Sequence, residues 1–234
     1  MTTLVLLHGW GASGGVWQPQ TEYFQDRVTV VTPTIPIWES DWLSEYLKEL
    51  PLEECVLVGW SLGGMLILEA LSGRRGDSIG GLVLVGVAPV FTRRPDYPWG
   101  QPPAVVRAMR RGVKDYPRQV LSEFATQCLG SGETAYRSQA LAVFGSPPAF
   151  GTLTAGLDYL LTRDLRPLLP GLPPGAVIIQ GQEDRIVPPA QGRVLRDQLA
   201  KARLYDLPGA GHLPFLTQAP VFNGIIAECL NRVN

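Results

Sequence analysis

Short apolar runs and stretches of helical period alternate along most of this chain. Residues 4–7, 28–31, 55–58, 82–85 and 177–180 are largely apolar runs, several rich in Val and Ile, and each predicts a buried strand. Residues 203–207 read as a short sixth strand. Between them, residues 16–24, 62–71 (ending near Gly73), 190–199 and 220–230 read as helices. Ser40 is placed to cap a further helix whose apolar positions are Trp42, Leu43, Tyr46, Leu47 and Leu50. Pro33-Thr34-Ile35-Pro36 is a rigid loop. Strands alternating with helices predict an α/β fold, a mostly parallel sheet of about six strands covered on both faces.

The alternation breaks between the fourth and fifth strands. Residues 91–166 show no buried-strand pattern, several helical stretches, and proline joints at Pro95, Pro98, Pro102-Pro103 and Pro147-Pro148. This predicts a helical cap over the C-terminal edge of the sheet, where open α/β folds bind ligands, inserted into a core made of residues 1–90 and 167–234. Residues 167–174 lead the chain back to the sheet.

Composition narrows the classes. The 234 residues suffice for one α/β core with an insertion, and a net charge of -1 gives no global attraction to nucleic acid. The first residues lack a basic leader and no apolar run is long enough to span a bilayer, so neither a signal peptide nor a membrane anchor is expected. Cys55, Cys128 and Cys229 lie far apart and read as buried thiols of a reducing cytoplasm. Only two histidines are present, without metal-ligand spacing, so no metal is expected.

The sharpest chemical signal is Gly59-Trp60-Ser61-Leu62-Gly63-Gly64, which joins the third strand to a helix. A Gly-x-Ser-x-Gly turn in this setting is a nucleophile elbow: the glycines remove Cβ atoms that would clash, and the turn lifts the hydroxyl to a helix N-terminus. A serine hydroxyl needs a base to take its proton. His212, in a glycine-rich loop after the sixth strand, is the candidate; His8 reads instead as a donor shaping its own loop. Asp184, directly after the fifth strand, is the carboxylate placed to orient the imidazole, ahead of Glu183 and Asp206. The order Ser61, Asp184, His212 is that of α/β-hydrolases. The backbone N–H groups of Leu62 and Trp10 are assigned to the developing oxyanion, and the side chains of Trp10, Trp60, Leu62 and Phe124 to substrate contact.

With these residues in view, the sequence resembles the α/β-hydrolase superfamily over nearly its whole length. His8-Gly9-Trp10-Gly11, Gly59-Trp60-Ser61-Leu62-Gly63-Gly64 and Gly211-His212-Leu213-Pro214-Phe215 resemble in particular the pimeloyl-[acyl-carrier protein] methyl ester esterases of biotin synthesis. The resemblance implies a carboxylesterase that needs no cofactor and releases methanol from a pimeloyl chain. Two departures stand out. The chain opens at what is usually the third strand, so the N-terminal hairpin is expected to be missing. The loop Thr32-Pro33-Thr34-Ile35-Pro36 also replaces the common Asp-x-Pro-Gly-x-Gly. Rival readings are a thioesterase or C–C bond hydrolase on the same scaffold, or a binding protein with a vestigial triad.

Charge adds one expectation about partners. Residues 91–166 carry ten basic and six acidic side chains, a net of +4, whereas the remainder has 10 basic and 15 acidic, a net of −5. Arg107, Arg110, Arg111 and Lys114 fall on one helix face, and Arg118 follows Pro117, which should restart a helix. This surface is the expected dock for an acidic acyl carrier protein, with a merely solvated helix face as the competing reading.

Overall fold

The computed structural model describes residues 2–72, 78–146 and 148–233. Gly73 and Pro147, named above as a helix end and a joint, lie outside the described residues. Six strands form one sheet: β1 (Thr3–Leu7), β2 (Thr29–Val31), β3 (Cys55–Trp60), β4 (Gly81–Val85), β5 (Val177–Gly181) and β6 (Arg203–Leu207). Their order is β2-β1-β3-β4-β5-β6 and every pairing is parallel. β3 is buried along its whole length, whereas the edge strands β2 and β6 are largely half-exposed or exposed. That gradient explains why the central strands read as unbroken apolar runs.

The order of strands reverses beside β1. The chain moves outward to β2, then returns to the other side of β1 as β3. Loops leaving β1 and β3 therefore diverge, opening the crevice in which doubly wound sheets hold ligands. Leu7 pairs with Gly59, Trp60 with Val85, and Gly181 with Leu207, so the C-terminal ends of β1, β3, β4, β5 and β6 lie along one edge.

Flanking helices are α1 (Gln18–Phe24), α2 (Ser40–Lys48) and α3 (Leu62–Ser72). A 3-10 turn, Gly14–Trp17, precedes α1 and replaces the start of the helix expected over residues 16–24, because Pro19 sits in the first turn of the α-helix. Ser40 is not a cap: Glu39 occupies that position without a side-chain cap bond, and Ser40 is already helical. α2 packs on α3. Between β4 and β5 come α4 (Pro103–Asp115), α5 (Pro117–Gln127), α6 (Arg137–Val143) and α7 (Phe150–Thr162). Among the described residues this stretch has no strand, only two isolated bridges. The C-terminal part adds α8 (Pro189–Gln198), a short α9 (Pro214–Thr217) that the sequence pattern did not reveal, and α10 (Ala219–Leu230). Trp17 stacks on Phe222 and packs at a tilt against Phe215, joining the first helical layer to the last. Among the described residues no helix is long and apolar enough to cross a membrane. The three cysteines are buried and unbridged.

α7 is fastened to α3 through polar contacts that are partly buried. The Tyr159 hydroxyl donates to Glu69 of α3 at 2.7 Å, and Arg163 lies 3.4 Å from the other oxygen of that carboxylate. Burial of the ring pushes the Tyr159 hydroxyl well above its ordinary pKa, so it stays a donor at every working pH. Tyr159→Phe removes this bond while Arg163 still faces Glu69. We expect a loss of about 1 kcal/mol, read from the urea midpoint; an unchanged midpoint would show that the bond contributes nothing.

Candidate active site

Ser61 stands at the turn from β3 to α3 with φ of 53°, in the left-handed region that side-chain-bearing residues seldom occupy. Its neighbours show why the sequence alternates with glycine. A Cβ on Gly59 would lie 2.4 Å from Gly64 Cα, and one on Gly63 would lie 2.3 Å from the His8 carbonyl oxygen. Only glycine permits these approaches. The Ser61 N–H donates to Val85 O at 2.9 Å, and Ser61 O accepts from Gly64 and Met65, so the turn is tied to both β4 and α3.

The next residue of β4's extension closes the other side. Gly86 (φ 53°) donates to Ile179 O, and a Cβ there would meet His212 Nδ1 at 2.9 Å and Asp184 Oδ2 at 3.1 Å. Consecutive residues Val85 and Gly86 thus touch the serine and the His–Asp pair. Sequence reasoning passed over Gly86, although a glycine directly after an apolar strand at this edge was a visible signal.

Asp184 and His212 form a buried pair, Oδ2 to Nδ1 at 2.7 Å, with neither side chain exposed. Asp184 Oδ1 accepts the N–H groups of Ile186 and Val187, each at 2.8 Å, which fixes the carboxylate. Gln180 Nε2 approaches Oδ2 at 3.4 Å. His212 is also held by its backbone: its N–H donates to Cys128 O at 2.7 Å and its carbonyl accepts Trp60 Nε1–H at 2.9 Å. Nε2 of His212 is buried and, among the described residues, has no hydrogen-bond partner. The ring thus faces the carboxylate with one nitrogen and keeps the other uncommitted.

His8 is the opposite case. Nδ1 donates to Gly9 O at 2.8 Å and Nε2 accepts the Ile35 N–H at 2.9 Å, so both nitrogens are used and the ring is neutral. Glu183 and Asp206 do not approach His212. Glu183 accepts the N–H of Ser131, which holds its carboxyl below the ordinary range, and Asp206 lies within β6 paired with Gln180.

Beside Ser61 is a largely apolar cleft with about 490 Å³ of empty space, mouth included, lined by Trp10, Phe124, Leu157 and Ile186 among others. Arg185, next to Asp184, is the one cation among its described lining residues. Trp10 donates its indole N–H to Leu153 O of α7 at 2.8 Å and meets Phe124 edge to face. Trp60 is placed elsewhere than expected. Its ring packs on Phe215 and His212, beneath the histidine loop, and it does not line the cleft. Leu62 is likewise fully buried, and as the first residue of α3 it presents an N–H with no intrahelical acceptor. Among the described residues, no group of three or more His, Cys, Asp or Glu side chains could hold a metal ion.

Arg107, Arg110, Arg111 and Lys114 are all exposed on α4, and Arg118 is exposed on α5. Arg110 is not free: it forms a two-pronged ion pair with Asp158 of α7, one arm 3.0 Å long.

The sequence model of the alpha/beta hydrolase family matches residues 4–224, and the chain belongs to that family. Curated relatives are more specific. The chain is 32% identical to a pimeloyl-[acyl-carrier protein] methyl ester esterase of Nitrosomonas europaea, over 92% of this chain and 90% of that protein. It is 33% identical to the one of Chromobacterium violaceum, over 97% and 93%. Among solved structures it resembles an esterase from Exiguobacterium antarcticum, with a TM-score of 0.88, 22% identity, and coverage of 99% of this chain and 92% of that one.

The buried neutral His8 carries a pH consequence. Burial lowers its pKa from 6.5 to about 4, against a smaller opposing effect of the Gly9 bond. The unfolded chain therefore takes up a proton as pH falls below 6.5 while the folded one does not until about 4. Stability is full above pH 6.5 and declines on acidification by about 3 kcal/mol from this group. The urea midpoint of His8→Gln should fall less steeply between pH 7 and 4.5 than that of the wild type. Parallel slopes would remove His8 as the cause.

Proposed function

We propose that this chain is a serine carboxylesterase that hydrolyses the methyl ester of a carrier-bound acyl chain, the pimeloyl-[acyl-carrier protein] methyl ester of biotin synthesis. The observation that carries this reading is the buried Asp184–His212 pair with its second ring nitrogen uncommitted, at the same sheet edge as a serine on a strained turn. The names of the curated relatives support the ester and the carrier, and the apolar lining of the cleft suits a hydrocarbon chain.

In this mechanism the Ser61 hydroxyl attacks the ester carbonyl as His212 Nε2 takes its proton. The N–H groups of Leu62 and Trp10 stabilise the oxyanion, helped by the positive N-terminal end of α3. Collapse breaks the bond to methoxide, which leaves as methanol with the proton from His212. Water then attacks the acyl-enzyme, His212 takes one of its protons, and the free acid departs as Ser61 recovers its hydrogen. Asp184 keeps the imidazole oriented and stabilises its charged form. Ser61→Ala and His212→Ala should each lower kcat on a pimeloyl methyl ester by about a thousandfold or more, with the fold retained by circular dichroism. Ser61→Ala should also fail to complement a biotin auxotroph lacking the esterase. Hydrolysis undiminished in either variant defeats the proposal.

The basic face of α4 and α5 is proposed as the dock for the acidic carrier, acting mainly on association rate. Arg110 is already neutralised by Asp158, so its reversal would loosen α4 from α7 and obscure the result. Reversing Arg107, Arg111 and Lys114 to Glu should raise KM for the carrier-bound ester, more at low salt than at high, and leave a small free methyl ester unaffected. Equal effects on both substrates would rule out docking there.

A further inference from the structure

Glu133 lies between α5 and α6, outside both loops that supply Asp184 and His212. Its side chain nevertheless reaches the histidine loop. The residue is only 6% exposed. Its Oε2 accepts the N–H of Gly130 at 2.7 Å and that of Gly211, the residue before His212, at 2.9 Å. Its Oε1 is buried and has no partner among the described residues.

The surrounding backbone repeats the connection. His212 N–H donates to Cys128 O, and Ser131 N–H donates to Glu183, which adjoins Asp184. A Cβ on Gly211 would lie 2.3 Å from Cys128 O, and one on Gly130 would lie 2.7 Å from Gly209 O, so the two segments meet backbone to backbone. Residues 128–133 form a seat on which residues 209–212 rest.

We propose that Glu133 is a positioning residue for the reaction: by gripping the Gly211 N–H it fixes the depth and angle at which His212 presents Nε2. The inference rests on His212 being the proton acceptor. Gly209 and Gly211 give the loop little stiffness of its own, and Gly209 has φ of 71°. Packing alone would be served by an apolar residue with no desolvation cost, whereas a buried carboxylate is tolerable only when amides bond to it. Bonds from two amides to one oxygen are directional, so they hold the loop at a set distance where apolar packing would not. Glu133 does not line the cleft, so it acts on the base and not on substrate binding.

Two conservative variants test this without emptying the site. Glu133→Asp shortens the reach by one methylene and should lower kcat roughly tenfold to a hundredfold with KM unchanged, as expected when a catalytic group is misplaced by a fraction of an ångström. Glu133→Gln keeps an acceptor oxygen at full reach and should restore most of the rate. Phosphonylation of Ser61 by a fluorophosphonate should follow kcat in both. A Glu133→Asp enzyme with wild-type kcat, a loss expressed in KM, or a Gln variant no better than Asp overturns the proposal. His212→Ala serves as the reference: if it stays active, the reading of the base fails, whereas an inactive His212→Ala beside an unimpaired Glu133→Asp refutes the role of Glu133 alone.

Discussion

At Ser61 the main chain adopts a left-handed conformation that costs on the order of 1 kcal/mol for a residue with a side chain. The surroundings over-determine it. β3 delivers the chain at the centre of a parallel sheet, β4 accepts the serine N–H, and α3 begins at once, its first turns closing on the serine carbonyl. Gly59 and Gly64 stand so close that no Cβ fits between them, and Gly63 abuts the loop leaving β1. This close crossing of backbones packs the start of α3 against both β3 and the loop leaving β1. A side chain at Gly59 would push α3 off β3 and shift the turn at Ser61 with it.

The two histidines show how burial alone does not define a role. Both are almost wholly enclosed. His8 spends each ring nitrogen on a backbone group and so holds the loop after β1 against the segment after β2. His212 spends one on a carboxylate and leaves the other unmatched. A buried acceptor without a donor is costly, and such a cost persists at positions where the group has chemistry to perform. The indoles divide in a similar way: Trp10 joins the β1 loop to α7, whereas Trp60 supports the carbonyl of His212 from below.

Most of the scaffold was legible along the chain. Apolar runs marked the strands because central parallel strands are buried on both faces, and the Gly-x-Ser-x-Gly turn carried its own strand and helix. The pairing of Asp184 with His212 followed from their places after β5 and β6. What escaped were features made by long-range contact. Trp60 was expected in the cleft, but its ring turns under His212, where its indole N–H bonds to the His212 carbonyl and the ring meets Phe215. Ser40 had the right chemistry for a cap one position too late. Arg110 looked like one of four equivalent charges until Asp158, 48 residues away, was found bonded to it. Glu133 carried no local signal at all, since its partner Gly211 is 78 residues distant.

The seating of the histidine loop on residues 128–133 bears on how such enzymes diversify. Helical insertions are natural units for recombination, because they leave and rejoin the sheet between two strands. Here that freedom is restricted: the carbonyl of Cys128 and the carboxyl group of Glu133 complete the surroundings of a loop encoded some eighty residues later. A chimera carrying a foreign insertion would need to bring an equivalent seat, or accept one grafted from this chain, while α4 and α6 could be exchanged more freely to reshape what the cleft admits.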